Sequence, residues 1–166
     1  MHRPGRLGRT AATRGDVRRF DDRPAPAPDR PVEGAAQDHD VTRILLVEDH
    51  EDLRDSLSRR LERRGFHVVL APDGEAGLRR ALAEQPDLIL LDMNLPLRDG
   101  WSVARSLRGA EGEAARIPII ALTAHGLPAS PTDLAAAGFD AYHPKPVDFP
   151  RLLEQIDEAL LGRDEP

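Results

Sequence analysis

The sequence predicts an α/β protein, in which a doubly wound parallel sheet is covered by helices on both faces. Short apolar runs alternate along the chain with stretches in which apolar residues recur every three or four positions, as in amphipathic helices. Three mainly apolar runs are too short for helices and are typical of buried parallel strands; they cover residues 44–47, 87–91 and 117–122. Weaker patterns at 68–70 and 141–142 complete five strand and helix pairs, and this strict alternation indicates one parallel sheet.

The predicted helices follow the strands in turn. After the first strand, Leu53, Leu57 and Leu61 recur at four-residue spacing, which places them on one face of a helix. The later helical patterns cover residues 76–82, 101–107, a stretch near Leu134, and 152–161. Pro128 and Pro131 stand where the fourth helix should begin, and proline is tolerated in a first turn but not in a helix interior. The fourth helix is therefore predicted to begin late, near Thr132, behind a longer loop.

The composition indicates one folded domain with an appendage. The chain has 166 residues, of which 40% are hydrophobic. Residues 1–40 are rich in proline and arginine, hold few large apolar residues and show no sustained period, so they are predicted to be a disordered N-terminal tail. A nucleic-acid-binding arm is an alternative interpretation of the arginine-rich start of this tail. The folded domain is predicted at residues 41–162, followed by a short tail at 163–166, and we expect no attached DNA-binding or enzymatic output domain.

Several classes of function are excluded by composition. No apolar run approaches the roughly 18 residues that cross a bilayer, and the start of the chain lacks the apolar core of a secretory signal, so a cytoplasmic location is expected. The absence of cysteine excludes disulfides and thiolate catalysis, and the six histidines show no close pairing. The net charge of −6 resides mainly in the folded part, which should repel DNA rather than bind it.

Polar residues stand at or just beyond the ends of four predicted strands, where the active crevice of an open parallel sheet lies. They are Glu48, Asp49, Asp92, Thr123 and Lys145. Three converging carboxylates raise one another's pKa values unless a cation lies among them, and an oxygen-only ligand set suits Mg²⁺. Taken singly, Glu48 and Asp49 are equally consistent with the start of a helix, Asp92 with a turn and Thr123 with an ordinary strand end.

Lys145 is the only lysine among the chain's 23 lysine and arginine residues, and it stands between Pro144 and Pro146. An ammonium group is a compact point charge, whereas the guanidinium group of arginine is a planar fork. The two are therefore poorly exchanged where a single phosphoryl oxygen must be met. This use of lysine predicts a specific need for an ammonium group at position 145.

Four segments together resemble the response regulator receiver domain of two-component signalling. They are Leu-Leu-Val-Glu-Asp at 45–49, Asp-Leu-Ile-Leu-Leu-Asp-Met-Asn-Leu-Pro-Leu-Arg-Asp-Gly at 87–100, Ala-Leu-Thr-Ala at 121–124 and Tyr-His-Pro-Lys-Pro at 142–146. The resemblance covers about residues 41 to 162, and the segments occur in the family's order and spacing. It implies a flavodoxin-like fold with strand order 2-1-3-4-5, in a stand-alone receiver similar to the chemotaxis regulators.

The resemblance also implies a role for each acidic residue. Asp92 would be the phosphoacceptor, whose carboxylate attacks phosphorus in line to form an acyl phosphate. Glu48, Asp49 and Asp92 would hold Mg²⁺ together with the backbone carbonyl of Asn94. Glu48 stands where aspartate is frequent in the family, but glutamate is also usual there, so the expectation of metal binding is unchanged.

The remaining implied roles concern the phosphoryl oxygens and the switch. Lys145 would meet one phosphoryl oxygen, and Thr123 would move to hydrogen-bond another. Tyr142 matches the aromatic residue that turns inward when this threonine moves. The peptide bond between Lys145 and Pro146 is expected to be cis, as in relatives.

The implied partners are a histidine kinase or a histidine phosphotransfer protein as phosphoryl donor and an unknown downstream protein target. The protein would be a monomer or a weak, phosphorylation-linked dimer, and no enzyme beyond Mg²⁺-dependent self-phosphorylation and autodephosphorylation. One alternative is a degenerate receiver that binds proteins independently of phosphate. Another is an aspartyl-phosphate phosphatase, but that class needs a second aspartate two residues after the nucleophile, where this chain has Asn94.

Overall fold

The computed structural model of the chain describes residues 41–124 and 130–164, and within them strands and helices alternate. The predicted tail at residues 1–40 and Pro128 of the predicted loop lie outside the described residues. The first half of the domain consists of β1 (Arg43–Val47), α1 (Glu51–Arg63), β2 (His67–Ala71), α2 (Gly74–Glu84) and β3 (Leu88–Asp92). The second half consists of α3 (Gly100–Arg108), a 3₁₀ helix (Gly112–Arg116), β4 (Ile119–Thr123), α4 (Pro131–Ala136), β5 (Ala141–Pro144) and α5 (Phe149–Asp164).

The five strands form one parallel sheet in the order β2-β1-β3-β4-β5. This order confirms the predicted flavodoxin-like fold. Val47 of β1 lies opposite Leu91 of β3, and Thr123 of β4 lies opposite Pro144 of β5. The carboxyl ends of these strands therefore meet at one edge of the sheet, and the residues that follow them are brought together there.

Two apolar layers cover the two faces of the sheet, because successive strand residues point to opposite faces. One layer joins alternate strand residues to α1 and α5; its helical members are Leu57, Leu61, Phe149, Leu152 and Ile156. The other layer joins the remaining strand residues to α2, α3 and α4; its helical members are Ala76, Ala81, Val103, Ala104, Leu107 and Leu134. Central strands buried on both faces must be apolar throughout, which explains the continuous runs in the sequence.

The start of α4 agrees with its predicted late position. The helix begins at Pro131, one residue before the predicted start at Thr132. Ser130 caps it: the hydroxyl oxygen of Ser130 accepts from the backbone N–H of Asp133 at 3.1 Å, and the carboxylate of Asp133 accepts from the backbone N–H of Ser130 at 3.4 Å. Proline in the first turn costs no hydrogen bond, so the capping box and Pro131 together determine this helix start.

Most element boundaries differ by one to three residues from those predicted, and two of these differences have an identifiable contact behind them. β4 begins at Ile119 rather than at 117, because Pro118 has no backbone N–H, whereas Ile119 donates to Oδ2 of Asp140 at 2.8 Å. α5 continues beyond the predicted domain end at 162, and its residue Arg163 donates to the backbone oxygen of Asp87 at 3.0 Å. Among the described helices, none has the length and apolar character that a bilayer crossing requires.

Candidate functional site

Two buried carboxylates and one ammonium group converge at the carboxyl edge of the sheet. Nζ of Lys145 lies 2.8 Å from Oε1 of Glu48 and 3.3 Å from Oδ2 of Asp92. Glu48 is 0% exposed and Asp92 is 3% exposed, so both carboxylates are removed from bulk water. The structure thus brings together three of the predicted site residues, which come from the ends of β1, β3 and β5.

Backbone contacts hold the end of β3 and the loop between β5 and α5, residues 145–148, which we call the lysine loop. The backbone N–H of Lys145 donates to the carbonyl of Thr123 at 2.7 Å, and that of Met93 donates to the carbonyl of Leu122 at 3.1 Å. Gly100 approaches the strand end so closely that an added Cβ would lie 2.7 Å from the backbone oxygen of Asp92. The peptide bond between Lys145 and Pro146 is cis, which confirms the expectation from the family resemblance.

The surroundings of Asp92 raise the pKa of its carboxyl group to about 6. Burial is the main cause, and the negative charge of Glu48 adds to it. The backbone N–H of Asn94, which donates to Oδ1 of Asp92 at 3.1 Å, and the charge of Lys145 act in the opposite direction. Additional positive charge nearby would stabilise the ionised form of this carboxylate, so the site is suited to a cation.

Lys145 keeps its proton in this site. Burial alone would lower the pKa of its ammonium group, but the hydrogen bond to Glu48 and the charge of Asp92 outweigh burial, so the pKa is raised. The ammonium group is therefore a permanent positive charge at neutral pH. It lies where it can meet an anionic group that arrives at Asp92.

Ligand atoms of Glu48, Asp49 and His50 lie within 4.8 Å of one another. Asp92 is outside this group of three. Oε1 of Glu48 accepts from Nζ of Lys145, and Oε2 of Glu48 accepts from the backbone N–H of His50 at 3.0 Å. His50 is not among the ligands predicted from the sequence, because the six histidines show no close pairing. Its position directly after two acidic residues is the signal in the sequence that points to it. Three carboxylates with one ammonium group leave a net negative charge, and these oxygen donors fit Mg²⁺.

The two predicted switch residues lie in different surroundings. Thr123 is the last residue of β4 and is 9% exposed, beside the lysine loop. Tyr142 is 42% exposed and lines a cavity of about 260 Å³ with Leu134, Phe139 and Gln155, between α4, β5 and α5. The tyrosine is therefore on the outer face of the domain, and an inward turn would change that face.

The comparison with known families agrees with this arrangement. The family model of the response regulator receiver domain matches residues 44–157, which is more than half of the chain. The chain belongs to the response regulator receiver family. The matched range includes all four segments that resemble this family, at 45–49, 87–100, 121–124 and 142–146.

Curated relatives of this receiver domain include longer regulators. Response regulator MprA of Mycobacterium tuberculosis is 39% identical over 124 residues, which cover 75% of this chain and 52% of the relative. Transcriptional regulatory protein RprY of Bacteroides fragilis is 40% identical over 121 residues, which cover 73% of this chain and 50% of the relative. The chain thus spans about half the length of the curated relatives it matches.

Solved receiver domains share the fold. The receiver domain of sensor histidine kinase PA1611 from Pseudomonas aeruginosa has a TM-score of 0.66 and 34% identity, covering 72% of this chain and 98% of that chain; it is described with a magnesium ion coordinated in the active site cleft. A CheY-like receiver domain protein from Methanospirillum hungatei has a TM-score of 0.68 and 30% identity, covering 75% of this chain and 97% of that chain.

Proposed function

We propose that this receiver domain accepts a phosphoryl group on the carboxylate of Asp92 and signals through altered contacts with another protein. The donor would be a phosphohistidine on a histidine kinase or a histidine phosphotransfer protein. The observation that carries this proposal is the state of Asp92: its carboxylate is 3% exposed, has a pKa of about 6 and lies 3.3 Å from the ammonium nitrogen of Lys145.

The transfer needs one nucleophilic oxygen and positive charge close to the phosphoryl oxygens. An oxygen of Asp92 forms a bond to phosphorus while the bond from phosphorus to the donor imidazole nitrogen breaks, and the nitrogen keeps the electron pair. The backbone N–H of Asn94 holds Oδ1 of Asp92 at 3.1 Å, which orients the carboxylate. Lys145, which stays protonated, would leave its contacts with Glu48 and Asp92 and donate to a phosphoryl oxygen.

The carboxylates of Glu48, Asp49 and Asp92 would hold Mg²⁺ with the backbone carbonyl of Asn94. When bound, Mg²⁺ would neutralise charge on the transferring phosphoryl group. The oxygen donors and the net negative charge of the site support this assignment, and the similar PA1611 receiver domain is described with magnesium in its cleft.

The signal would pass through Thr123 and Tyr142. Thr123, at the end of β4, would hydrogen-bond a phosphoryl oxygen, and Tyr142 would turn inward from its exposed position. Phosphorylation would thus shift an equilibrium between two forms of the α4, β5 and α5 face and change its affinity for a downstream protein. One matched relative, of which the chain covers 50%, is named a transcriptional regulatory protein. We therefore propose action without contact to DNA only for the receiver domain itself. The cytoplasmic location and the monomeric or weakly dimeric state stay predictions.

The intact mass of the protein after incubation with acetyl phosphate and Mg²⁺ tests the proposal. We expect a gain of one phosphoryl group, which is lost in Asp92→Asn and in excess EDTA. Asp157→Asn is the matched control, because Asp157 is an exposed aspartate of α5, and it should be phosphorylated like the wild type. If neither acetyl phosphate nor phosphorylated histidine phosphotransfer proteins modify the wild type, the proposal is wrong and a phosphate-independent binding domain is the better explanation.

A further inference from the structure

His143 is a buried polar residue in the strand that leads to the lysine loop. It is 1% exposed and stands two residues before Lys145. Both ring nitrogens have partners: Nδ1 lies 2.8 Å from Oε1 of Gln155, and Nε2 accepts from the backbone N–H of Asp148 at 3.0 Å. Nε2 of Gln155 in turn donates to the backbone carbonyl of Tyr142 at 2.9 Å. These contacts form one chain of hydrogen bonds, which we call the His143 relay.

The two ends of the His143 relay determine the direction of every bond within it. A backbone carbonyl can only accept, so the amide nitrogen of Gln155 must face Tyr142, and its oxygen must face the imidazole. Nδ1 of His143 therefore carries the ring hydrogen. The backbone N–H of Asp148 can only donate, so Nε2 must present a lone pair. All four groups are satisfied by one neutral tautomer of the imidazole and by one orientation of the amide.

The His143 relay joins residues on both sides, in sequence, of the ammonium-bearing residue Lys145. It joins the end of β5 to the residue that precedes α5 and to the second turn of α5, and Lys145 lies between these points. On its other side, the backbone N–H of Lys145 donates to the carbonyl of Thr123 at 2.7 Å. The loop is thus attached to both α5 and β4. An apolar side chain at 143 would leave the N–H of Asp148 without this acceptor.

We propose that His143, acting with Gln155, is a positioning residue for Lys145. The His143 relay holds the loop between β5 and α5 so that Nζ of Lys145 stays within 3.3 Å of the acceptor carboxylate. The kinetic part of this proposal rests on the proposed phosphorylation of Asp92. The structural part, the tautomer and the position of the ammonium group, does not depend on phosphorylation.

Nitrogen-15 NMR of the full chain tests the structural part. We expect a hydrogen on Nδ1 and none on Nε2 of His143, and a scalar coupling between Nε2 and the backbone nitrogen of Asp148. In Gln155→Met, a variant of similar side-chain size, exchange of the Lys145 ammonium hydrogens with water should rise about tenfold because the loop loosens. Glu154→Met, at an exposed position on the same helix, is the control and should leave this exchange unchanged. The opposite tautomer, or unchanged exchange in Gln155→Met, would overturn the proposal.

Phosphorylation kinetics test the functional part. In His143→Leu and Gln155→Met, the phosphorylation rate at saturating acetyl phosphate should fall about tenfold, with little change in the half-saturating concentration, because a displaced ammonium group weakens the transition state more than binding. His143→Gln places an amide oxygen within reach of the N–H of Asp148 and should recover part of the rate. His67→Leu, at an exposed position of β2, should behave like the wild type.

The outcomes separate the two proposals. If the wild type takes up no phosphate, the proposed function fails, while the tautomer and the exchange of the Lys145 hydrogens still decide the positioning role. If the wild type is phosphorylated and folded Gln155→Met reacts at the wild-type rate, the positioning role alone is wrong. Gln155 is only partly buried, so this variant remains informative even if His143→Leu does not fold.

Discussion

The ammonium nitrogen of Lys145 lies 2.8 Å from Oε1 of Glu48, a side chain with no exposure to solvent. It is closer to this carboxylate than to that of Asp92, at 3.3 Å. Glu48 also raises the pKa of Asp92 through its charge. Glu48 therefore acts on the proposed acceptor twice, once by direct repulsion and once by drawing the ammonium group toward itself.

Replacement of Glu48 by glutamine is expected to lower the pKa of Asp92. Glu48→Gln removes the charge that repels the Asp92 carboxylate and leaves Lys145 with one carboxylate instead of two, so both effects favour ionisation of Asp92. In excess EDTA, the pKa of Asp92 should fall clearly below its value of about 6, as measured by carbon-13 NMR of the carboxyl group. Glu62→Gln, at an exposed position of α1, is the control; equal pKa values in the two variants would contradict the assigned role of Glu48.

The stability of the metal-free domain should fall as pH rises through the titration of Asp92. Because its folded-state pKa is raised from 3.8 to about 6, the folded protein binds this proton more tightly than the unfolded chain does. The contribution is complete below about pH 4 and lost above about pH 6, and it is on the order of 2 to 3 kcal/mol in the free energy of unfolding.

Asp92→Asn isolates this contribution, since asparagine carries no charge at any pH. Urea unfolding in EDTA should show the variant more stable than the wild type at pH 7.5, with the difference shrinking toward pH 4. A difference that stays constant over this range would show that the titration of Asp92 does not contribute.

The close approach of Gly100 to the end of β3 predicts a second effect on stability. In Gly100→Ala, the added Cβ would lie 2.7 Å from the backbone oxygen of Asp92 and 2.9 Å from Cα of Met93, so the backbone must shift. We expect a loss of about 1 to 3 kcal/mol in unfolding free energy and slower phosphorylation. Gly109→Ala, at the residue directly after α3, is the control, because its added Cβ would lie no closer than 3.5 Å to the backbone oxygen of Arg105 and its φ of −87° suits alanine. If both variants unfold alike, the close contact is unimportant.

Much of the fold could be predicted because its strands are buried on both faces. Leu45 and Leu46 of β1 pack into opposite apolar layers, so the strand has to be apolar throughout and stands out in the sequence. The edge that holds Glu48, Asp92 and Lys145 followed from the same reasoning, because parallel strands end on one side of a sheet.

The contacts within the site could not be predicted in the same way. β5 is a short edge strand in which only His143 is buried, so its pattern is weak, and the partner of His143 is Gln155, twelve residues further on in another element. The spacing of residues within either element does not indicate such a pair. Nζ of Lys145 lies closer to Glu48, at 2.8 Å, than to Asp92, at 3.3 Å. This difference likewise depends on side-chain conformations, which the sequence pattern does not specify.

The capping box at Ser130 predicts a local effect in α4, a helix of only six residues. Ser130→Ala removes the hydroxyl acceptor of the Asp133 N–H, and loss of such a cap costs about 1 kcal/mol. Because the first turn of α4 loses its cap, hydrogen exchange of the α4 amides should accelerate while α1 and α5 stay protected. Leu134 of this helix lines the cavity beside Tyr142, so the effect lies at that face. Thr132→Ala, an exposed change in the same first turn, should leave exchange nearly unchanged. Equal acceleration in every helix would instead indicate global destabilisation, and the cap would then have no special role at the face where the proposed signal emerges.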